Sequence, residues 1–382
     1  MNIAELLQAT INQGASDLHL KAGKDPKMRV HGALRSVEGA PILSAEAAQA
    51  IAFSMMNEGQ KAHFTKTGEA DLAYSYPGVG RFRVNAFKQR GSVSMVFRVV
   101  PTKVLTLEEA NLPNILHDLA MEPRGLILAT GSTGSGKSTT LAAMVEHINR
   151  NKTSNIITIE DPIEYLYRDR SSLISQREVG YDTESFAVAL RAALRQDPDV
   201  IMVGEMRDYE TIHTALVAAE TGHLVMSTLH TMDAPETINR IISVFPPFQQ
   251  KQVRMQLAAV LKGVISQRLI PRSNGEGRVA ACEIMINTQT VREAIVDPEK
   301  TRRLRDVIAQ GGSQYGMQTF DQSLYDLMTR KIITLEEALQ WASNPDDFAL
   351  RVKGVSSSSD TGWGDTPEMD DANAPVELTP DS

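Results

Sequence analysis

Gly131-Ser132-Thr133-Gly134-Ser135-Gly136-Lys137-Ser138 is the stretch whose reading decides the fold. It satisfies the pattern G-x-x-x-x-G-K-[ST]. An apolar run over 125–130 precedes it, and a helical periodicity over 139–149 follows, with Leu141, Met144, Val145 and Ile148 on one face. Strand, glycine-rich loop and helix in that order form the context that gives the pattern meaning. Glycines let backbone N–H groups turn inward, and the helix N-terminus adds partial positive charge, so the loop suits phosphate. Lys137 then reaches the β- and γ-phosphates, and Ser138 offers a hydroxyl to Mg2+. Ser132, Thr133, Gly134, Ser135, Gly136, Lys137, Ser138 and Thr139 are therefore the expected nucleotide-binding residues, with ATP and Mg2+ as the cofactors. A plain Gly/Ser surface loop would not also bring the lysine, the hydroxyl and the two flanking elements.

Outward from the loop, strands at 125–130, 155–159, 200–203 and 224–229 alternate with helices at 139–149, 185–195 and 211–220. This α/β alternation argues for a largely parallel sheet with its ligand at the carboxyl ends of the strands. After Pro246-Pro247 the pattern predicts helices near 248–265, a hairpin over 267–286 turning at Asn274-Gly275, and helices near 289–309, 319–330 and 334–342. Ahead of the loop lies a different organisation. A helix over 2–13 ends at Gly14, and strands follow from Ser16 and at 27–31, 70–76, 80–87 and 92–99, with a helix over 44–66. That reads as a small α+β domain over 1–101. Residues 102–123, punctuated by Pro113 and Pro123, read as a linker and connecting helix before an α/β nucleotide-binding domain with C-terminal helices over 124–353.

Three further stretches end strands in chemistry. Asp199-Val200-Ile201-Met202-Val203-Gly204-Glu205 is an apolar strand closing on an acid, the Walker B pattern. Glu205 suits either the Mg2+ shell or a base that polarises water; a strand-end ion pair with Arg207 is the plainer reading. Ile157-Thr158-Ile159-Glu160-Asp161-Pro162-Ile163-Glu164 supplies three carboxylates, and spacing alone does not choose among Glu160, Asp161 and Glu164. Leu224-Val225-Met226-Ser227-Thr228-Leu229-His230-Thr231 ends in His230, a candidate sensor of the γ-phosphate. His223, before that strand, has the weaker claim.

Composition removes several classes of function. The chain has 382 residues, 39 Lys+Arg and 47 Asp+Glu, and a formal charge of −8. Seven acids and no base lie in 354–382, so residues 1–353 hold 39 basic against 40 acidic groups. A balanced body gives no global nucleic-acid signal. The Ser-, Asp-, Pro- and Gly-rich stretch 354–382 cannot bury enough apolar surface to fold, which predicts a disordered acidic tail. One cysteine, Cys282, excludes an internal disulfide and a four-cysteine zinc site, and its neighbours suggest a small hydrophobe in a strand. Apolar runs are too short to span a bilayer, and the N-terminus lacks a basic n-region, so a cytoplasmic protein is expected.

The four boxes together resemble the secretion ATPase superfamily, and within it the PilT branch, the type IV pilus retraction (twitching motility) ATPases. Gly14-Ala15-Ser16-Asp17-Leu18-His19-Leu20 and Arg81-Phe82-Arg83-Val84-Asn85 are similar to that branch as well. The resemblance covers roughly residues 1–350. It implies a PAS-like N-terminal domain and a RecA-like ATPase domain in a homohexamer, with ATP between the two domains. It further implies that Arg83 and Arg98, with Arg81 beside them, reach the γ-phosphate; pairing with Glu69 or Asp71 is the plainer role for these strand arginines. Glu205 would activate water, with Glu160, Glu164 and His230 completing the catalytic set and Ser138 and Glu205 in the metal shell. Extension-type relatives carry a further N-terminal domain and a tetracysteine motif, neither of which stands in this sequence. Thr231-Met232-Asp233 and Thr290-Val291-Arg292-Glu293-Ala294-Ile295 match the retraction pattern only loosely. Implied partners are an inner-membrane pilus platform protein and other pilus ATPases, with no nucleic acid and no membrane insertion. The implied location is the inner face of the cytoplasmic membrane. The alternatives are a PilU-like accessory retraction ATPase, or a secretion or DNA translocase on the same core.

Overall fold

The computed structural model describes residues 2–354, so the acidic tail expected from the sequence lies, beyond Gly354, outside the described residues. The chain divides into two units. The first is Met1–Lys103 with Ile163–Arg168, and the second is Val104–Pro162 with the chain from Asp169 onward.

Six antiparallel strands form the sheet of the first unit: β1 (Asp17–Lys21), β2 (Lys27–Val30), β3 (Ala33–Ser36), β4 (Glu69–Tyr76), β5 (Gly80–Gln89) and β6 (Ser92–Val99). Their order is β3-β2-β1-β6-β5-β4. Alternation along β5 explains both faces: Phe82, Val84 and Ala86 are buried, while Arg81, Arg83 and Asn85 are not. The buried set packs with Leu18, Leu20, Met95 and Phe97. The single helix expected over 44–66 is two, Ala45–Ser54 and Glu58–Thr67. Asn57 breaks the run by capping the second, accepting from the Gln60 N–H while the Gln60 side chain accepts from the Asn57 N–H.

The second unit carries β7 (Gly125–Thr130), β8 (Asn155–Glu160), β9 (Leu173–Glu178), β10 (Val200–Val203), β11 (Leu224–Leu229), β12 (Leu261–Pro271) and β13 (Arg278–Ile286). They form one sheet in the order β13-β12-β7-β11-β10-β8-β9. All pairings are parallel except β12 with β13, which leaves β13 as an antiparallel edge. Every residue of β7, β10 and β11 is buried, as expected of central strands covered on both faces. Cys282 is buried on β13, and burial pushes its thiol up to about 12.

The helix predicted near 248–265 stops at Val260, and Leu261 begins β12. Gly263 lies close to Leu119 and to the Met285 carbonyl, and β-branched Val264 and Ile265 lie opposite Leu128 and Ala129 of β7. Apolar residues on both faces suit a buried strand that satisfies the ladder on each side better than a helix. The strands β3 and β9 and the helices Ala234–Ser243 and Pro345–Val352 were not expected from the sequence pattern. Among the described residues, no helix is long and apolar enough to cross a membrane.

Ile201 stands at the centre of β10 with no exposure. Ile201→Ala is expected to lower unfolding stability by about 2–5 kcal/mol, read from the denaturant midpoint. A shift too small to resolve would mean that this sheet is not the core of the unit.

Candidate functional site

The ends of β7, β11, β10 and β8 lie at one edge of the sheet, within two residues of one another in register. Thr130 lies opposite Leu229, and Val203 lies between Ser227 and Ile159. That edge therefore carries the Gly131 loop after β7, His230 after β11, Gly204-Glu205 after β10, and Glu160 as the last residue of β8.

The glycine loop owes its shape to three positive φ angles, at Gly131, Gly134 and Gly136. Gly131 has φ 138° and Gly136 has φ 95°, and Gly136 is the residue from which the helix Lys137–Asn151 starts. A Cβ at Gly131 would stand 2.5 Å from the Gln267 carbonyl oxygen and 2.6 Å from Ser135 Oγ. Glycine is thus required both by backbone angle and by space. Lys137 Nζ donates to the Gly131 and Ser132 carbonyls at 2.8 and 2.9 Å. Burial lowers the pKa of its ammonium, and the nearby Glu205 carboxylate opposes that shift. Ser135 Oγ is buried and has no hydrogen-bond partner, an orphan that a phosphate oxygen would satisfy. Ser132, Thr133, Gly134 and Ser138 are exposed on the loop and the first turn of the helix. A cavity of about 430 Å³ adjoins the loop, lined in part by Ser132, Ser135, Arg268 and Trp341.

Glu205 pairs with Arg207 Nε at 2.7 Å and stands 3.5 Å from His230 Nε2. The ion pair with Arg207 is therefore real, and it sits inside the cluster rather than apart from it. Thr228, on β11, holds the same turn: its hydroxyl donates to the Gly204 carbonyl, and its own carbonyl accepts from the Met206 N–H. Glu160 is buried and accepts from Thr158 Oγ1 at 2.6 Å and from Gln176 Nε2 at 3.2 Å. Thr158 was within reach of sequence reasoning, since it stands two residues before Glu160 and so on the same face. Gln176 was not, because it arrives on the unexpected β9. Asp161 is exposed. His223 lies at the opposite end of β11, where its Nδ1 meets the Ala218 carbonyl at 2.9 Å. That contact ends a helix and leaves His223 away from the strand-end cluster.

The arginines and Glu164 belong to the first unit. Arg83 of β5 and Arg98 of β6 are direct cross-strand neighbours. Two like charges in that relation repel unless each has a counter-charge. Arg98 has Asp17, at 3.0 Å, and Arg83 has Glu164, also at 3.0 Å, together with the Ile163 carbonyl at 2.8 Å. Asp71, one of the expected alternative partners, accepts from Asn85. Burial raises the Asp17 pKa, but hydrogen bonds from Ser16 and Arg98 outweigh it and leave the carboxyl below its ordinary range. Arg81 donates to Ser75 Oγ at 3.0 Å. Lys137, Glu205 and His230 thus come together in the second unit, with Ser138 on the adjoining helix turn and Glu160 at the end of the neighbouring strand, while Arg83, Arg98 and Glu164 group within the first.

The type II/IV secretion system protein family matches residues 1–339. The type IV pilus retractation ATPase PilT of Pseudomonas aeruginosa is 48% identical over 348 residues, 91% of this chain and 100% of that protein. The type IV pilus ATPase PilU of the same organism is 45% identical over 360 residues, 94% of this chain and 93% of that protein. The crystal structure of the pilus retraction motor PilT with bound ADP superposes with a TM-score of 0.81 at 45% identity, covering 91% of this chain and 98% of that one.

Gly131→Ala is expected to weaken nucleotide binding about tenfold or more, because the loop must shift to escape the Gln267 carbonyl, at a strain cost of order 1–3 kcal/mol. Titration with a fluorescent nucleotide measures it. Wild-type affinity in that variant would mean that the loop does not bind phosphate in this conformation.

Proposed function

Because the chain belongs to the type II/IV secretion system protein family, we propose that it is an ATPase motor that hydrolyses ATP to ADP and phosphate to drive type IV pilus retraction. The observation that carries the reading is the placement of the Gly131 loop, Glu160, Glu205 and His230 at the ends of four adjacent parallel strands on one edge of the sheet. Phosphate, acid and histidine chemistry then meet at one sheet edge, where open α/β sheets take ligands.

In this reading the second unit is RecA-like and binds the nucleotide. Backbone N–H groups of 132–139 cradle the phosphates, and the orphaned Ser135 hydroxyl donates to one of their oxygens. Lys137 exchanges its two carbonyl partners for the β- and γ-phosphates. Mg2+ supplies charge neutralisation on those phosphates, and Ser138 with Glu205 fits its habit of taking few protein ligands. Glu205 orients and polarises the attacking water, held in place by Arg207 and His230. His230, 3.5 Å from Glu205, is placed to report the state of the terminal phosphate. Glu160, fixed by Thr158 and Gln176, contributes a second carboxylate.

The first unit, PAS-like in this reading, brings Arg83 and Arg98 to the γ-phosphate. Guanidinium groups there offset the charge of the transferred phosphoryl group. For Arg83 this means release from Glu164, so Glu164 acts as the counter-ion that holds it between turnovers. Repeated engagement and release converts hydrolysis into domain rotation. The motor works as a homohexamer at the inner face of the cytoplasmic membrane, against a pilus platform protein. A second reading, an accessory retraction ATPase, draws on the similarity to PilU. Absence of turnover in the purified chain would favour it.

Glu205→Gln is expected to bind ATP with near wild-type affinity and to lose turnover by about 10²-fold or more, since water activation is removed while the phosphate contacts stay. Steady-state phosphate release and equilibrium nucleotide binding measure the two halves. Substantial residual turnover would remove Glu205 from its role. Deleting the gene tests the motor itself: excess pili without twitching is expected, and a normal pilus number would count against retraction.

A further inference from the structure

One row of polar side chains crosses the apolar sheet of the second unit. Thr130 is the last residue of β7, Ser266 lies directly opposite it on β12, and Glu283 lies directly opposite Ser266 on β13. Their exposures are 0%, 0% and 5%. Around them Val264, Ile265, Ala281, Cys282, Ile284 and Met285 are buried and apolar. A buried polar row costs free energy unless each member is satisfied by its neighbour. Thr130 Oγ1 donates to Ser266 Oγ at 3.0 Å, and Ser266 Oγ donates to Glu283 Oε1 at 3.4 Å. The same Glu283 oxygen accepts from the Ala234 N–H at 2.9 Å.

Both ends of this row matter. Thr130 immediately precedes Gly131, the first residue of the phosphate loop. Ala234 opens the helix Ala234–Ser243 and follows His230-Thr231-Met232-Asp233, with Asp233 as its cap. Asp233 is itself bound by Arg305. Burial pushes the Glu283 carboxyl up to about 7, with Asp233 adding to the shift and the Ala234 N–H, Arg305 and Ser266 opposing it. Arg268, on β12, is the other charged group that feels Glu283. A carboxyl held at that cost, four strands along the sheet from β10 with its Glu205 and five from β8 with its Glu160, has no part in the phosphate chemistry.

We propose that Glu283 is a positioning residue for turnover, tying the strand end that launches the phosphate loop to the helix start that follows His230. The proposal rests on the ATPase reading. Through Ser266 and Thr130 it fixes where the loop begins. Through Ala234 it fixes where the His230 segment ends. The two strand-end segments then keep their spacing through a covalently separate third element, β13.

The test uses the full chain and reads kcat and nucleotide affinity separately. Glu283→Leu removes the acceptor, and is expected to lower kcat by about 10²-fold while nucleotide Kd changes little, because misplacement of order 1 Å acts on the reacting geometry. Glu283→Gln keeps an oxygen for Ser266 and Ala234, and is expected to restore most of that loss. Thr130→Val cuts the row from its other end with a side chain of the same shape, and is expected to add little to Glu283→Leu in the double variant, as members of one network do. A folded Glu283→Leu protein with kcat within about threefold of wild type would overturn the proposal, as would fully additive effects. If Glu283→Leu does not fold, Thr130→Val decides alone: an unchanged kcat overturns the proposal and a selective loss of kcat upholds it. An unaltered chain without turnover would instead overturn the ATPase reading, and this one with it.

Discussion

The close approach of Gly131 to the Gln267 carbonyl is the constraint on which the site depends. It brings the end of β7 against β12, so that the backbone must leave the sheet at a positive φ. From that exit the loop passes Gly134 and returns to Gly136, whose positive φ starts the helix, and Lys137 lands inside its own loop. At Gly131 a side chain would strike the Gln267 carbonyl, and at Gly136 the positive φ alone favours glycine. The rest of the cluster follows from register: once β7 is fixed, its parallel neighbours set the heights of His230, Glu205 and Glu160.

That dependence also explains what could be read from the sequence. The central strands are continuous apolar runs bounded by charge, glycine or proline, and such runs announce themselves. The bounds of β10 and β11 agree with the expected 200–203 and 224–229. Periphery was harder. β9 is half-exposed and alternates, so nothing distinguishes Leu173–Glu178 from loop without knowing that β8 lies beside it. The Leu261–Ile265 stretch continues the composition of the helix before it, and only tertiary pairing with β7 turns it to strand. The helix Glu58–Thr67 of the first unit was hidden for a smaller reason, a capping asparagine inside an otherwise helical stretch.

The site divides in the same way. Loop, lysine and strand-end acids form local patterns and were legible. Their supports come from elements distant in sequence: Gln176 for Glu160, Thr228 for the turn at Gly204, and Ser266 with Glu283 for Thr130. Polar residues inside strands look, in sequence, like ordinary alternation. Only cross-strand register shows that they lie in one row.

The run Glu160-Asp161-Pro162-Ile163-Glu164 shows how far adjacency in sequence misleads about roles. Glu160 ends β8 in the second unit, buried and fixed by Thr158 and Gln176. Four residues later Glu164 belongs to the first unit, paired with Arg83. The chain passes from one unit to the other between Pro162 and Ile163 and returns after Arg168. Three carboxylates that the sequence presents as interchangeable are therefore separated by architecture: one is a buried strand-end acid, one an exposed connector, and one the counter-ion of an arginine. The two arginines need that counter-charge. Being directly opposite on β5 and β6, they would repel without Asp17 and Glu164, so the segment that carries Glu164 is as much a part of the arginine pair as the sheet that displays it.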